Sequence, residues 1–522
     1  MKSKIIILIF FTNLSLGITA QFESSLSDGA EPFIAKDPNN PDQLAIAFMD
    51  NGLTTNFSIY YSHDGGTTWD LSDFDAQQLY NSLFGPVSGG VGDPVLNFDS
   101  DGVLHFTYIM NGRMLYVRSM DAGITFAPSS VAAHRVDSLA ALDRQWMASD
   151  HSGGINDGNL YLSAKEFSIN PDKGMDDAIV LYTKPSDSIA FNMNSTPIFE
   201  SSTGEVHQFS NIKVDEAGRI HASCMRFNQS NLEGSYLYAR SEDGGQTFSS
   251  PLILGTGTTS LNGENNIIHY GDNSAVSLAV GNNNVYICWS DYSNASVKSY
   301  YTYSNDGGNS FSVPIEFGPL TVPGANYHIM PNVAAEDNQM SMSCYVADSI
   351  TLQTLYYVAN SSDSGSTFNN VQVVSEGTTH FNTIVANNFG FYGHYNSSVM
   401  IGCETHSVWC DGRTQLPIVY HANVDPCSVG LFEQSPVSEL IKVGSIYPNP
   451  SHDFIHVEIS TKKTHLNSWE IADMSGKVLC KGNIIKSFEN LDIDINDLAT
   501  GTYLLTLRFK NNMIVTRKFS KQ

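Results

Sequence analysis

Along most of the chain, short apolar runs come in pairs separated by Asp, Asn or Gly turns, the pattern of half-buried antiparallel strands. Glu31-Pro32-Phe33-Ile34-Ala35 leads to Leu44–Met49, and Asp93-Pro94-Val95-Leu96 leads to Val103–Ile109. The pair recurs around Trp146/Tyr161, Ile212/Ile220, Val276/Val285, Val333/Met340 and Val399/Val408, which makes seven pairs. A glycine-bearing turn follows several of them. Ser62-His63-Asp64-Gly65-Gly66-Thr67-Thr68-Trp69 returns, with the pattern S-x-D-x-G-x-[TS]-[FW], from 119, 241, 304 and 361. In such a turn the Asp and Ser side chains hydrogen-bond the local backbone, glycine supplies a positive φ, and the closing aromatic anchors the hairpin.

The turns are spaced by 57, 122, 63 and 57 residues. The long interval is twice the others, so one copy has lost its turn, and Tyr182-Thr183-Lys184-Pro185-Ser186-Asp187 stands where it belongs. A period near sixty residues built of short strands predicts an all-β, seven-bladed β-propeller, with six blades as the alternative. The last pair is followed by one strand-like run, Pro417–Ala422, and then a break. That leaves an outer slot that Phe22–Leu26 is expected to fill, closing the ring. The five turns resemble the Asp box, or BNR repeat, of the sialidase superfamily.

Past residue 430 the character changes. Tyr447-Pro448-Asn449-Pro450, then Asp473-Met474-Ser475-Gly476-Lys477, then Gly501-Thr502-Tyr503 punctuate alternating strands that end in Val515-Thr516-Arg517-Lys518-Phe519. This segment resembles the C-terminal sorting domain of the type IX secretion system. Its alternation predicts a small Ig-like β-sandwich. The expected organisation is a signal peptide over 1–20, a propeller over 21–430, a linker over 431–440 and the sorting domain over 441–522. Lys2, Lys4, the apolar run Ile5–Phe11 and Ile18-Thr19-Ala20 carry the signal-peptide reading. No later run is long and apolar enough for a transmembrane segment. The expected location is therefore secreted, or attached to the outer-membrane surface after both ends are removed.

A formal net charge of −26 argues against nucleic acid and anionic lipid as partners. It leaves room for a structural Ca2+, though no other cofactor is required. Of seven cysteines, Cys224, Cys288, Cys344 and Cys410 fall at one position of successive repeats and read as core residues, while Cys403 and Cys427 are able to pair.

Chemistry in a ring of sheets gathers at the mouth of the central channel, where inner strands begin and their partners end. Inner strands begin at Glu31, Asp93, Asp143-Arg144, His207, Asp272, His328 and Tyr392/His394. Their partners end at Asp50, Glu166, Arg226, Asp291 and Asp411-Gly412-Arg413. The sialidase resemblance implies converging arginines, for which Arg144, Arg226 and Arg413 stand at the mouth, with Tyr392 as nucleophile and Glu166 or Glu31 beside it. The chain departs from that family in having Glu31-Pro32-Phe33-Ile34 where sialidases carry Arg-Ile-Pro. A resemblance to propeller polysaccharide lyases implies another use: arginine neutralises a uronate carboxylate while His207, His328, His394 or Tyr392 moves a proton. A third reading is a non-catalytic adhesion platform. All three take an extracellular glycan or glycoprotein as partner, beside the secretion machinery.

Overall fold

The computed structural model describes residues 22–50, 56–86, 90–133, 140–168, 177–200, 204–228, 233–258, 275–291, 297–317, 326–368, 370–380, 393–414, 416–424, 441–461, 466–473, 477–483, 490–509 and 514–522. The chain divides into two compact units, the larger over 20–427 and the smaller over 428–522. Tyr392, Asp272, the signal segment and the linker all lie outside the described residues.

Every strand pairing described in the larger unit is antiparallel, as the alternation of apolar runs and tight turns requires. Val91–Phe98, Leu104–Met110, Arg113–Ser119 and Ala127–Ala133 pair in chain order as one four-stranded sheet. Sheets of the same plan begin at Ala140–Ser149, Glu205–Val214, Ser277–Gly281 and Asn326–Glu336. A seven-stranded sheet joins the two ends of the unit, because Phe22–Lys36 serves two neighbours. Its first half pairs Ile418–Val424 (Phe22 opposite Asn423, Ser25 opposite Tyr420), and its second half pairs Leu44–Asp50. The N-terminal run thus lies where the missing outer strand was expected. The change of partner falls at Gly29, where a Cβ would stand 2.7 Å from the Met49 carbonyl and inside the Phe48 ring.

The inner strands follow one another in space in a cycle. Phe22–Lys36 lies against Val91–Phe98, then come Ala140–Ser149, Glu205–Val214, Ser277–Gly281, Asn326–Glu336 and Ser397–Ile401, which returns to Phe22–Lys36. Between sheets the core is aromatic and aliphatic, with Tyr108, Tyr161, Tyr286, Trp289 and Trp409 fully buried. Cys224, Cys288, Cys344 and Cys410 are buried free thiols in that core, whereas Cys403 is disulfide-bonded. Cys427 lies outside the described residues.

The repeated turns join third and fourth strands and share one hydrogen-bond plan. In the first, Ser62 Oγ accepts from Gly66 N at 2.8 Å, and Asp64 accepts from Thr68 N at 2.9 Å and from the Thr68 hydroxyl at 2.7 Å. The copies at Asp121, Asp243, Asp306 and Asp363 repeat it. The left-handed residue at the heart of each turn leans on the preceding sheet: Gly308 on Tyr238, Gly245 on Leu181, Gly123 on Tyr61. Gly66 leans on His406 and His421, which belong to the last strands of the unit. The motif is therefore a fastener between neighbouring sheets, and it sits away from the starts of the inner strands.

In the smaller unit Ile441–Tyr447, Phe454–Thr461 and Asn490–Asp494 form one sheet, and Leu466–Asp473, Val478–Asn483, Gly501–Phe509 and Ile514–Lys521 form another. Ile455, Val457, Ile471, Leu505, Leu507 and Phe519 alternate inward and make one buried core.

Candidate functional site

Five inner strands carry the same irregularity near their start. The register slips between Ala30 and Phe33, Gly92 and Val95, Gln208 and Asn211, and Ile329 and Asn332, with a matching slip opposite Ser163–Lys165. At each bulge one non-glycine residue takes a left-handed backbone: Glu31 (φ 55), Asp93 (φ 53), Arg144 (φ 56), Phe209 (φ 56) and Met330 (φ 51). Such a conformation costs about 1–2 kcal/mol per residue and persists only where the surroundings over-determine it. The bulges re-aim these five side chains together.

Arg144 is the hub. Its Nη1 stands 3.3 Å from Glu31 Oε1 and 3.4 Å from Asp93 Oδ1, and its Nη2 stands 2.8 Å from His394 Nδ1. His394 Nδ1 is also 3.0 Å from Glu31 Oε1. The Phe209 ring lies under the guanidinium at 5.0 Å. On the Nε side the acidic neighbour is Asp143, at 4.0 Å. Glu31 and Asp93 are buried beneath, while Arg144 and His394 keep part of their surface in solvent.

Burial pulls the two carboxyls the same way, but their partners separate them. Burial alone would raise Glu31; hydrogen bonds from His394 and the charge of Arg144 outweigh it and hold the group at about 2. Asp93 is pushed well above the usual carboxylate range, by burial first, with Arg144 opposing and Glu31 and Asp143 adding repulsion. Burial and the charge of Arg144 lower His394 despite Glu31. The cluster therefore sets a carboxylate and a guanidinium beside a carboxyl shifted toward its protonated form and an imidazole shifted toward its neutral form.

Tyr395 donates to the Pro94 carbonyl at 3.3 Å and meets Trp146 edge-on at 5.6 Å. Trp146, Ser277, Met330, His394 and Tyr395 border a cavity of about 10 Å³, room for one water.

The other expected site residues are placed elsewhere. Arg226 pairs with Glu205 at 3.6 Å. Arg413 is held by Glu23 and Asp411, each at 2.6 Å, and lies over Tyr420 at 4.3 Å. It clamps the N-terminal strand. His207 is buried against Asp177 at 3.3 Å, a carboxylate it shares with Lys165. His328 is buried, and burial lowers its pKa. Glu166 is half-buried on Leu160–Ser168 and acts electrostatically on Tyr182. Thus Arg144, His394, Glu31 and Asp93 are brought together; Arg226, Arg413, His207, His328 and Glu166 have other partners. Phe209, Tyr395 and Gln145, which donates to the Asp93 carbonyl, were not singled out from sequence. Among the described residues no group of three or more His, Cys, Asp or Glu is arranged to hold a metal ion.

Residues 445–522 match the secretion system C-terminal sorting domain family. The segment is a type IX sorting tail, and it marks the chain for secretion or cell-surface export. No helix among the described residues is long and apolar enough to cross a membrane. No curated protein matches the chain. Among solved structures it is similar to the polysaccharide lyase Uly1 at 10% identity and a TM-score of 0.47, covering 78% of this chain and 100% of that one. It is also similar to an α-L-arabinanase of Penicillium chrysogenum (14% identity, TM-score 0.40, 64% and 93% covered). A fucose-specific lectin of Aleuria aurantia is similar at 11% identity and a TM-score of 0.38, with 67% and 97% covered.

Proposed function

We propose that the chain is an exported, seven-bladed propeller of sialidase-like, Asp-box construction over 21–430, linked through 431–440 to an Ig-like sorting sandwich over 441–522. We propose further that it acts on an extracellular glycan at the Arg144 cluster. The cyclic order of the inner strands and the double pairing of Phe22–Lys36 support the blade count.

The chemistry that fits best is β-elimination on a uronate polysaccharide. The observation carrying it is the layering of the cluster: the Arg144 guanidinium and the His394 imidazole keep part of their surface in solvent, with the Glu31 and Asp93 carboxyls buried beneath. Arg144 would pair with the uronate carboxylate and stabilise charge developing on it. His394 takes the proton from the adjacent ring carbon, held in place by Glu31. As that C–H bond breaks, a carbon–carbon double bond forms and the glycosidic C–O bond opens. Asp93, whose carboxyl burial shifts toward the protonated form, would give its proton to the departing oxygen. No cofactor is needed for this balance.

The same separation of Glu31 and Asp93 also suits hydrolysis by an acid and a base. The full chain incubated with uronate-rich polysaccharides and with sialosides distinguishes the cases. Elimination gives absorbance from unsaturated uronate that Arg144→Ala abolishes and Asp93→Asn slows. New reducing ends without unsaturation move the assignment to hydrolysis. Released sialic acid supports the sialidase reading, and retention on a glycan array without turnover supports an adhesion platform.

A further inference from the structure

The cavity of about 10 Å³ beside His394 carries a pattern of unmade hydrogen bonds that specifies its occupant. Among the described residues, three polar atoms on its borders have no partner: the Trp146 indole Nε1, Asn332 Oδ1 and Asn396 Oδ1. All three side chains are at least nine-tenths buried. Their neighbours hold them in place. The Asn332 amide nitrogen donates to Ser277 Oγ at 3.0 Å and to the Asn396 carbonyl at 3.4 Å. The Asn396 amide nitrogen donates to the Met330 carbonyl at 2.9 Å. A carbonyl only accepts, so each NH2 is fixed against one and each Oδ1 is left as the free acceptor. The Trp146 ring is met edge-on by Phe33 at 5.1 Å and by Tyr395 at 5.6 Å.

One donor and two acceptors make a set that water completes, since its oxygen accepts and its two hydrogens donate. A cation would be repelled by the indole N–H, and an anion by the two amide oxygens. Buried groups of this kind cost far more unmade than bridged. The three residues also come from distant parts of the ring. Trp146 lies on Ala140–Ser149, Asn332 on Asn326–Glu336, and Asn396 directly before Ser397–Ile401. In the cycle of inner strands the first stands across from the other two.

We propose that this cavity is a binding site for one internal water, held by Trp146 Nε1–H, Asn332 Oδ1 and Asn396 Oδ1, which bridges opposite inner strands and fixes the stretch His394–Asn396. The site does not depend on the glycan chemistry proposed for the Arg144 cluster.

The test is magnetic resonance of the full chain carrying isotope-labelled tryptophan, which has five indole signals. Trp146→Phe identifies the Trp146 signal by its loss. In the wild type that indole proton is expected to show a rotating-frame cross-peak to water with the sign of dipolar contact, opposite to that of chemical exchange. Asn332→Leu, which removes one acceptor and brings an apolar side chain to the cavity, is expected to abolish the cross-peak while the other indole signals stay in place. A wild-type Trp146 proton without that cross-peak overturns the proposal, and so does a cross-peak that survives Asn332→Leu. Should Asn332→Leu fail to fold, the wild type decides. A dipolar cross-peak unchanged when sodium is exchanged for potassium sustains the site, and a signal that follows the cation overturns it.

Discussion

The repeated turn makes a claim that one methyl group can test. In Gly308→Ala the new Cβ would fall on the Tyr238 hydroxyl, 2.7 Å from its Cζ, at a residue whose φ is +81. Tyr238 is fully buried and cannot swing away without cost, since its hydroxyl is 2.7 Å from His221 Nδ1, whose Nε2 is 3.0 Å from Asp215. The left-handed backbone alone costs an alanine about 1–2 kcal/mol. Displacing the tyrosine orphans a buried imidazole, for about 1–3 kcal/mol more. The substitution should therefore destabilise the larger unit by roughly 2–5 kcal/mol. Gly307→Ala is the control, with a φ of +68 and a Cβ that meets the Arg219 guanidinium, a flexible group able to move aside. It should show the backbone cost alone. Urea unfolding followed by tryptophan fluorescence measures both, and equal losses for the two variants would refute the fastener reading.

Three further outcomes follow from the geometry. Burial, with the charge of Lys36 adding, lowers His406 to about 4, and burial lowers its neighbour His421 well below the ordinary histidine range. Both bind protons more readily unfolded, so their contribution is complete above about pH 6.5 and lost as pH falls toward 4. His421→Tyr, which copies the Tyr238 position, should shrink that acid loss in a series of unfolding midpoints. Arg413→Met leaves Glu23 and Asp411 without their shared cation and should cost roughly 3–5 kcal/mol, read by urea unfolding; an unchanged stability would remove the clamp from the account of ring closure. In the elimination reading, the rate should fall on the acid side as His394 gains a proton and on the alkaline side as Asp93 loses one. A pH–rate profile whose alkaline limb survives Asp93→Asn would show that the limb belongs to another group.

Much of the fold could be read from the chain because its repeat is built of tight signals. Paired apolar runs, glycine turns and the orphan strand Phe22–Leu26 each follow from period-two patterning and turn chemistry. The candidate site was harder. His207 and His328 stand at the starts of inner strands just as Glu31 and Asp93 do, but they lie two residues before the left-handed residues Phe209 and Met330. On the pleat that offset, together with the bulge, sends them to Asp177 and into the core instead of to Arg144. Nothing in a glutamate, aspartate or arginine announces a positive φ. The one trace is the proline that follows Glu31, Asp93 and Met330. Arg413 was misleading for another reason: its partner Glu23 lies 390 residues away, beyond the reach of local pattern.

Repetition also decides what is architecture and what is chemistry. Asp99, His105 and Tyr116 are joined at 2.8 and 2.7 Å in an arrangement that resembles an activated catalytic relay. Asp215, His221 and Tyr238 repeat it in another sheet, at the same strand positions. In both, the imidazole is buried, burial lowers its pKa, and the aspartate's other oxygen holds the turn between the first two strands. A unit present in two sheets, sealed from solvent and spent on its own turn, stabilises the repeat. The Arg144 cluster has the opposite character. Its five bulges are common to five strands, but the side chains placed on them are a glutamate, an aspartate, an arginine, a phenylalanine and a methionine. The backbone device is repeated while its chemistry is not. Where a symmetric scaffold holds strained backbone in register and fills each copy differently, the asymmetry is what a ligand can read, and that favours the proposed site at Arg144 over the relays.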